Sequence, residues 1–462
     1  MSAPLFSKKT RVHFVGVGGI GMSGIAEVLL NQGYAVSGSD LKSTAMTESL
    51  RTKGARISEG HRVENVSETD VVVISSAVKD DNPEVVEAAR LKVPIIPRAE
   101  MLAELMRLKY GIAVAGSHGK TTTTSMVAVL LDHADLDPTM VIGGRIAALG
   151  GNAKLGSSDL MVVEADESDR SFLQLSPVVA VVTGIDREHL EAYRDMDDMA
   201  QAFIDFVNKV PFYGVAILCL DEEGVQDILP RVRRRHVSYG FSSQADVSAD
   251  EVVLDGAGSS YQLRLFGEPA GRIRLNALGR VNVLNSLAAV SVGRELGLSV
   301  DTIRAGLEAF SGVDRRFQVK ADANGILVID DYGHHPTEIR ATLATAKEAF
   351  GRRTVVVFQP HRYSRVSSLF DDFCHAFHQA DVLVVTEVYP AGESAIPGIS
   401  GEKLAECIGE KGHRRVRFVA EIGDVAEALE DELETGDLVI TLGAGSVTSL
   451  SDQLAEVVRA RV

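Results

Sequence analysis

The sequence predicts an α/β fold, because short apolar runs alternate with longer amphipathic stretches along the whole chain. The runs are three to six residues long and rich in valine and isoleucine. Such runs are typical of strands buried in a parallel sheet, which helices connect. The predicted strands are Val12–Val15, Val71–Ile74, Ile112–Ala115, Met161–Val163, Val178–Val182, Val215–Leu220, Ile326–Ile329, Val355–Phe358, Val382–Val385 and Leu438–Leu442.

One region departs from this pattern. Between Val247 and Leu275, short alternating segments are separated by Asp-Gly and Glu-Pro turns. Tyr261, Leu263 and Leu265 alternate with polar residues, as in a half-buried antiparallel strand. We therefore predict a small antiparallel sheet attached to the middle of the chain.

A length of 462 residues suggests about three domains. Two junctions, near Arg107–Gly111 and Ser311–Arg315, each precede a new series of strands. We predict domains at residues 1–109, 110–312 and 313–462.

The net charge of −17 argues against binding to nucleic acids or to anionic membranes. Neither a signal peptide nor a membrane-spanning run is evident. The cysteines Cys219, Cys374 and Cys407 are far apart, so their spacing predicts neither a disulfide framework nor a CxxC metal site. We predict a cytoplasmic protein.

Polar and glycine residues cluster directly after the apolar runs. Because ligands bind at the carboxyl ends of parallel strands, these clusters predict a shared cleft. The seven segments are GVGGIG, GSHGKTT, EADESD, DREH, DDYGHHP, QPHRYSR and GAGS.

The first glycine loop, Gly16–Gly21, follows a strand and opens a helix predicted over Met22–Leu30. Asp40 follows a second short strand, which completes the pattern of a dinucleotide-binding fold. The glycines let the backbone approach a diphosphate at the helix N-terminus. NAD and a UDP-sugar present the same diphosphate and ribose groups, so the loop alone does not choose between them.

The second glycine loop ends in Gly119-Lys120-Thr121, as a phosphate-binding P-loop does, although two residues instead of four separate its glycines. Lys120 is expected to reach the β- and γ-phosphates, and the Thr121 hydroxyl to hold Mg²⁺. Glu164 is the first acid after the next strand and is a predicted ligand of the same ion.

Together these motifs closely resemble those of the Mur ligases of peptidoglycan synthesis. The resemblance rests on GVGGIGMSGIAEVL, GSHGKTTTT, EADESDRSFL, DDYGHHPTEI, FQPHRYSR and GDLVITLGAGS, which extend over nearly the whole chain. It implies a Rossmann-like N-terminal domain that binds UDP-N-acetylmuramate, a central ATP-binding domain, and a Rossmann-like C-terminal domain that binds the amino acid and closes on ATP. Within the family, the motifs most resemble those of members that join L-alanine to UDP-N-acetylmuramate. We expect the protein to be a monomer or a homodimer.

The resemblance also implies roles for individual residues. The predicted metal ligands are Thr121, Glu164 and His189. The predicted ATP-binding residues are Gly116, Ser117, His118, Gly119, Lys120, Thr121, Thr122, Asn282, Asn285, Arg316 and Asp331. The predicted substrate-binding residues are Gly18, Gly19, Ile20, Gly21, Met22, Ser39, Asp40, Ser76, Arg98, Tyr332, His334, Arg362 and Arg365. The predicted catalytic residues are Lys120, Glu164, His189, Arg316, Asp331 and His334.

Three positions depart from the family pattern. Val281-Asn282 stands where His-Asn is frequent, and GAGSVT stands where GAGD is commoner. Lys209 is out of register with the carbamylated lysine of several related ligases. None of these positions belongs to the predicted phosphate or metal set, so the expected class of reaction is unchanged.

The expected reaction activates a carboxylate as an acyl phosphate and then joins it to an amine, with ATP and Mg²⁺ as cofactors. His334 is the candidate base for the amine. The nearest alternative is a ligase that joins a preformed tripeptide to the same sugar nucleotide. A nicotinamide-dependent oxidoreductase would leave the P-loop unexplained, and a P-loop switch would not need the first glycine loop.

Overall fold

The computed structural model describes residues 10–75, 77–146, 151–188, 192–430 and 432–460. The predicted site residues Ser76 and His189 lie outside these ranges. Among the described residues, no helix combines the length and apolar character that crossing a bilayer requires.

The first sheet has five parallel strands in the order β3-β2-β1-β4-β5. Its strands are β1 (Arg11–Val15), β2 (Ala35–Asp40), β3 (Arg56–Glu59), β4 (Val71–Ile74) and β5 (Ile95–Pro97). Its helices are α1 (Ile20–Asn31), α2 (Ala45–Thr52), α3 (Pro83–Leu91) and α4 (Arg98–Met106). The chain order reverses between β1 and β4, so the first glycine loop lies at the switch point where such sheets bind ligands.

The second sheet has ten strands in the order β15-β14-β13-β12-β11-β10-β6-β9-β7-β8. Its strands are β6 (Tyr110–Ala115), β7 (Thr139–Ile146), β8 (Gly151–Lys154), β9 (Leu160–Glu164), β10 (Val179–Val182), β11 (Val215–Cys219), β12 (His236–Gly240), β13 (Val247–Leu254), β14 (Ser259–Leu265) and β15 (Glu268–Leu275). Its helices are α5 (Lys120–His133), α6 (Met196–Asn208), α7 (Glu223–Ile228), α8 (Arg280–Glu295) and α9 (Val300–Glu308). The strands predicted between Val247 and Leu275 are β13 to β15, which extend this sheet beyond β12.

The third sheet has six strands in the order β16-β17-β21-β18-β19-β20, and only the β16–β17 pair is antiparallel. Its strands are β16 (Gln318–Ala323), β17 (Ile326–Asp331), β18 (Thr354–Phe358), β19 (Val382–Val385), β20 (Val416–Phe418) and β21 (Leu438–Leu442). Its helices are α10 (Pro336–Phe350), α11 (Tyr363–Ser368), α12 (Phe370–Cys374), α13 (Gly401–Glu410), α14 (Val425–Glu430) and α15 (Val447–Ala460).

All ten apolar runs predicted as strands are strands of these sheets, and the predicted α/β class is confirmed. By packing, the chain divides into two compact units. One runs to Asp250 and adds Gln262–Ile273 and Leu284–Ser311; the other comprises Glu251–Tyr261, Arg274–Val283 and the chain from Gly312 onward. The predicted domain limits at 109/110 and 312/313 remain predictions.

The structure contradicts one expectation about the cysteines. Cys374, at the end of α12, and Cys407, in α13, form a disulfide with their Cα atoms 5.7 Å apart. Their 33-residue separation gave no signal, because the contact arises from the packing of α12 against α13. Cys219 is buried in β11 and forms no disulfide.

Candidate active site

The first glycine loop is held by the two residues that end β2. The backbone amides of Gly16 and Val17 donate to the Ser39 carbonyl oxygen, at 2.9 and 3.0 Å. The amide of Gly18 donates to Asp40 Oδ2 at 2.8 Å, and a Cβ atom on Gly18 would lie 2.8 Å from the same oxygen. A larger residue at this position would have to displace the Asp40 carboxylate that holds the loop.

The first turn of α1 contacts two residues from later in the chain. Asn152 in β8 donates from Nδ2 to the Ile20 carbonyl oxygen at 2.8 Å. A Cβ atom on Gly21 would lie 2.6 Å from Arg98 Nη1, so the Arg98 guanidinium group covers this glycine. Arg98 also pairs with Asp166 at 3.3 Å. Arg98 therefore stands between the first glycine loop and the acidic segment that follows β9.

Gly19 caps α1, and the two neighbouring apolar side chains of the loop face opposite environments. Met22 is 2% exposed in the core of this unit, whereas Ile20 is 46% exposed. Ile20 is thus accessible to a ligand, and Met22 packs in the core next to the loop. The ligand-binding roles of these residues remain predictions.

The second glycine loop connects β6 to α5 and requires glycine at both ends. Gly116 and Gly119 have positive φ angles of 134° and 79°. A Cβ atom on Gly116 would lie 2.2 Å from Thr183 Oγ1, and the amide of Ser117 donates to the Gly184 carbonyl oxygen at 2.9 Å. The loop is therefore packed against the segment after β10, with its amides at the N-terminus of α5, where phosphates bind favourably.

Lys120 begins α5 and folds back over this loop. Its Nζ donates to the carbonyl oxygens of Gly116 and Ser117, at 2.6 and 3.1 Å, and to Glu167 Oε1 at 2.7 Å. The Glu167 side chain is only 1% exposed. The lysine therefore lies inside the loop, paired with a buried carboxylate, at the place where a phosphate would need a cation.

Burial and charge act against each other in this pair. Burial alone would lower the pKa of Lys120, but the Glu167 carboxylate, followed by Glu188 and Glu164, raises it above its ordinary value. Burial raises the pKa of Glu167 to about 7, and Lys120 only partly offsets that rise. Lys120 therefore stays protonated near neutral pH, whereas the pKa of Glu167 falls in that range.

Thr121 and Glu164 meet as predicted. Thr121 Oγ1 donates to Glu164 Oε1 at 2.9 Å, and the amide of Gly143 donates to Glu164 Oε2 at 2.7 Å. A hydroxyl and a carboxylate are the hard oxygen ligands that Mg²⁺ prefers, so these side chains fit that ion. The third predicted ligand, His189, lies outside the described residues.

The remaining ATP-site predictions in this unit lie around the same loop. His118 Nε2 donates to Asp186 Oδ2 at 2.9 Å. Asn285 in α8 accepts from Thr123 Oγ1 at 3.1 Å, and its Oδ1 lies 2.6 Å from where a Cβ atom on Gly119 would be. Thr122 is buried in the first turn of α5. Asn282 belongs to the other compact unit, where its Nδ2 donates to the Leu278 carbonyl oxygen at 2.7 Å.

In the second unit, Asp331 ends β17 and is held by neighbouring donors. Its Oδ2 accepts from the Phe317 amide at 2.7 Å, and its Oδ1 accepts from the Gly333 amide at 2.8 Å. Burial raises the pKa of Asp331, and the nearby charge of Arg316 opposes the shift. Asp331 thus fixes the loops on both sides of it.

Tyr332 and His334 lie directly after Asp331 in the sequence. The Arg316 guanidinium carbon lies 5.0 Å from the centre of the Tyr332 ring, and Arg316 Nη1 lies 3.5 Å from Glu338 Oε1. His334 Nδ1 donates to the Tyr332 carbonyl oxygen at 3.0 Å. This bond places the proton on Nδ1, so the neutral ring carries its lone pair on Nε2.

Two arginines follow β18, beside a histidine that the motif analysis did not assign. Arg365 donates from Nη1 to His361 Nδ1 at 3.2 Å, and the amide of Arg362 donates to the Tyr389 carbonyl oxygen at 2.9 Å. Burial, then the charges of His334, Arg365 and Arg362, lowers the pKa of His361 to about 3. His361 therefore stays neutral and stacks on Tyr389 with ring centres 5.5 Å apart.

Three domains of a known protein family match consecutive parts of this chain. Residues 11–110 match the Mur ligase family catalytic domain, residues 114–293 the Mur ligase middle domain, and residues 315–445 the Mur ligase glutamate ligase domain.

Individual relatives match over nearly their full length. A UDP-N-acetylmuramate–L-alanine ligase from Geotalea daltonii is 54% identical over 98% of this chain and 99% of its own. One from Anaeromyxobacter dehalogenans is 56% identical over 97% and 98%. The crystal structure of a UDP-N-acetylmuramate–alanine ligase from Thermotoga maritima superposes with a TM-score of 0.82 and 32% identity, covering 96% of this chain and 98% of that one. The chain therefore belongs to the Mur ligase family.

Proposed function

We propose that this chain joins L-alanine to the carboxylate of UDP-N-acetylmuramate, consuming ATP and releasing ADP and phosphate, as a step of peptidoglycan synthesis. The observation that carries the proposal is the link between the two glycine loops. Arg98 covers Gly21 of the first loop and pairs with Asp166, whose neighbour Glu167 binds Lys120 of the second. One compact unit thus holds the two glycine loops a few side chains apart, which supports the use of both loops in one reaction.

The first step is phosphoryl transfer. A carboxylate and an amine form only an ion pair at neutral pH, so the carboxylate must be activated. A carboxylate oxygen of the sugar attacks the γ-phosphorus of ATP, and the bond to the β,γ-bridging oxygen breaks, which leaves an acyl phosphate and ADP. Lys120 stabilises the charge on the transferring phosphoryl group, and Arg316 is proposed to assist it from the C-terminal domain.

A magnesium ion would be held by Thr121 and Glu164, with His189 as the third protein ligand. When bound, it would neutralise charge on the nucleotide phosphates. The bond from Thr121 to Glu164 already brings the two oxygen donors together. Gly143 fixes the other carboxylate oxygen, which orients the carboxylate before any ion arrives.

The second step forms the amide bond. The amine nitrogen of L-alanine attacks the acyl carbon, inorganic phosphate leaves, and the nitrogen loses a proton to a base. We propose His334 as this base, because its Nδ1–H bond to Tyr332 leaves the Nε2 lone pair to accept the proton. Arg362 and Arg365 are proposed to bind substrate carboxylates, for which a planar guanidinium group is suited.

The test is product formation from UDP-N-acetylmuramate, ATP and Mg²⁺ with L-alanine, L-serine or glycine separately, followed by mass spectrometry. The proposal expects a product heavier by one alanine residue, formed with one ADP per product. A parallel reaction uses a preformed tripeptide as the acceptor. Turnover in that reaction alone would instead identify the recycling type of ligase. ADP formation that no acceptor stimulates would exclude both ligase assignments.

A further inference from the structure

A fully buried carboxylate lies beneath the first glycine loop. Glu84, in the first turn of α3, has a side chain that is 0% exposed. Its Oε2 accepts from Ser39 Oγ at 2.5 Å and faces His13 Nε2 at 3.4 Å. Its Oε1 accepts from the Arg62 amide at 3.2 Å and from Asn65 Nδ2. Donors therefore meet both oxygens.

These donors keep Glu84 ionised. Burial alone would raise the pKa of Glu84, but hydrogen bonds from His13, Ser39 and Asn65 bring it down to about 2. An ionised carboxylate can only accept hydrogen bonds. The hydroxyl proton of Ser39 is therefore committed to Glu84.

That commitment determines the tautomer of a second histidine. Because the Ser39 hydroxyl donates to Glu84, its oxygen is left to accept, and His61 Nδ1 lies 2.9 Å away. The other group near His61 Nδ1 is Glu84 Oε2 at 3.5 Å, which is also an acceptor. The proton of a neutral His61 ring thus lies on Nδ1, and the lone pair lies on Nε2.

His61 stands at the edge where a nucleotide would lie. The Ser39 carbonyl oxygen and the Asp40 carboxylate hold the first glycine loop, and the Gly60 amide donates to the Asp40 carbonyl oxygen at 2.7 Å. In dinucleotide-binding folds the acid that ends the second strand faces the ribose. His61 follows β3, the neighbour of β2 at this edge of the sheet, and its side chain is 15% exposed, so a base that extends from the ribose towards β3 would meet it.

We propose that Glu84 is a positioning residue for the nucleotide base: through Ser39 it holds His61 with Nε2 as a hydrogen-bond acceptor for the N3–H group of uracil. The inference rests on the proposed use of a UDP-sugar. An acceptor at this place favours uracil, whose N3 carries a hydrogen, over cytosine, whose N3 carries a lone pair. Glu84 itself touches no substrate.

The first arm of the test needs no ligand. Nitrogen-15 NMR of the histidine side chains, with His61→Asn to assign the signals, reports which ring nitrogen carries the proton. The inference expects the Nδ1–H tautomer of His61 in the parent chain. The Glu84→Gln side chain carries an NH₂ group on one side, where it can no longer accept a hydrogen bond. The inference therefore expects the tautomer of His61 to shift towards the Nε2–H form in this variant. An Nε2–H tautomer in the parent chain, or an unchanged tautomer in Glu84→Gln, would overturn it.

The second arm measures UDP-N-acetylmuramate binding by calorimetry, without ATP or amino acid. Glu84→Gln should weaken binding about tenfold, the value of one well-placed hydrogen bond. The matched control is Asp70→Asn, which removes another paired carboxylate of the same sheet and should leave binding unchanged. Ser39→Ala interrupts the relay without altering Glu84, and serves if Glu84→Gln fails to fold.

A double-mutant cycle separates positioning from general stability. If Glu84 acts through His61, then Glu84→Gln should weaken binding no further in a His61→Ala background. Additive losses would overturn the inference. A parent chain that does not bind UDP-N-acetylmuramate would refute the proposed function instead, and the tautomer measurement would still test the relay.

Discussion

Two buried glutamates lie beside the two glycine loops, and their surroundings differ. Glu84, under the first loop, meets several hydrogen-bond donors and has a pKa of about 2. Glu167, beside the second loop, is buried against one cation, Lys120, and has a pKa of about 7. Hydrogen bonds from His13, Ser39 and Asn65 thus outweigh the effect of burial on the pKa of Glu84, whereas burial outweighs the effect of Lys120 on the pKa of Glu167.

The difference indicates two kinds of loop. The first is fixed by carbonyl and carboxylate acceptors from β2. The second contains a lysine whose present partners are protein oxygens. We expect Lys120 to exchange Glu167 for a phosphate when ATP binds, so that the first loop binds and the second performs chemistry.

Removal of Lys120 should have the largest effect on activity, because it affects the second loop and not the first. Lys120→Ala should lower the rate of ADP formation at least about a thousandfold, because it removes the cation that lies inside the loop. UDP-N-acetylmuramate binding, measured by calorimetry, should persist. Lys154→Ala, which removes a half-exposed lysine paired with Asp132 and Asp137, is the control and should keep full activity. Normal ADP formation by Lys120→Ala would exclude its assigned role.

The carboxylate beside Thr121 should have the next largest effect. Glu164→Gln keeps the shape of the side chain but removes the charge that a magnesium ion would meet. We expect the Mg²⁺ concentration for half-maximal activity to rise about a hundredfold. A magnesium titration of ADP formation measures this. An unchanged titration curve would show that Glu164 does not bind the ion.

Arg98 tests the link between the loops. Arg98→Ala should raise the KM for UDP-N-acetylmuramate about tenfold, because a charged donor over Gly21 is lost. The KM for ATP should change little. Arg107→Ala, at the other end of α4, removes an exposed arginine paired with Glu104 and should change neither value. Equal effects of the two variants would remove Arg98 from the site.

The two glutamates should also give opposite dependences of stability on pH. The folded pKa of Glu84 lies below its ordinary value of 4.5, so its contribution is present above pH 4.5 and is lost as the pH falls towards about 2. The folded pKa of Glu167 lies above 4.5, so its contribution is present below pH 4.5 and is lost as the pH rises through about 7.

Urea denaturation of Glu84→Gln, Glu167→Gln and the parent chain over this pH range measures both slopes. The free-energy difference between the parent chain and Glu167→Gln should decline with rising pH, and that for Glu84→Gln should decline with falling pH. Slopes of the same sign would show that the two carboxylates do not differ as described.

The pattern of apolar residues predicted the long buried strands because burial on both faces requires continuous runs of valine and isoleucine. It did not reveal β3, β5 or β8, which read RISE, IIP and GNAK and are short or polar. Strands of this kind form because neighbouring strands supply their hydrogen-bond partners, and no local pattern marks them.

The candidate site likewise contains residues that the sequence predicted and residues that it did not. Lys120, Thr121 and Glu164 lie in motifs whose spacing carries the chemistry, and the structure brings them together. Asn152 in β8 contacts Ile20 of the first glycine loop, and Glu84 in α3 contacts Ser39, which holds that loop; nothing in their sequence neighbourhoods marks these contacts. Only the fold, which carries them to this sheet edge, could reveal them.

The central claim is that the carboxylate of the sugar nucleotide attacks ATP, and isotopic labelling of the carboxylate oxygen atoms tests it most directly. UDP-N-acetylmuramate labelled with oxygen-18 in its carboxylate would be turned over with ATP and L-alanine, and the phosphate and the amide product weighed by mass spectrometry. Attack of the carboxylate on ATP predicts one labelled oxygen in each molecule of released phosphate and one in the amide carbonyl. Unlabelled phosphate, formed together with the amide product, would contradict an acyl phosphate intermediate.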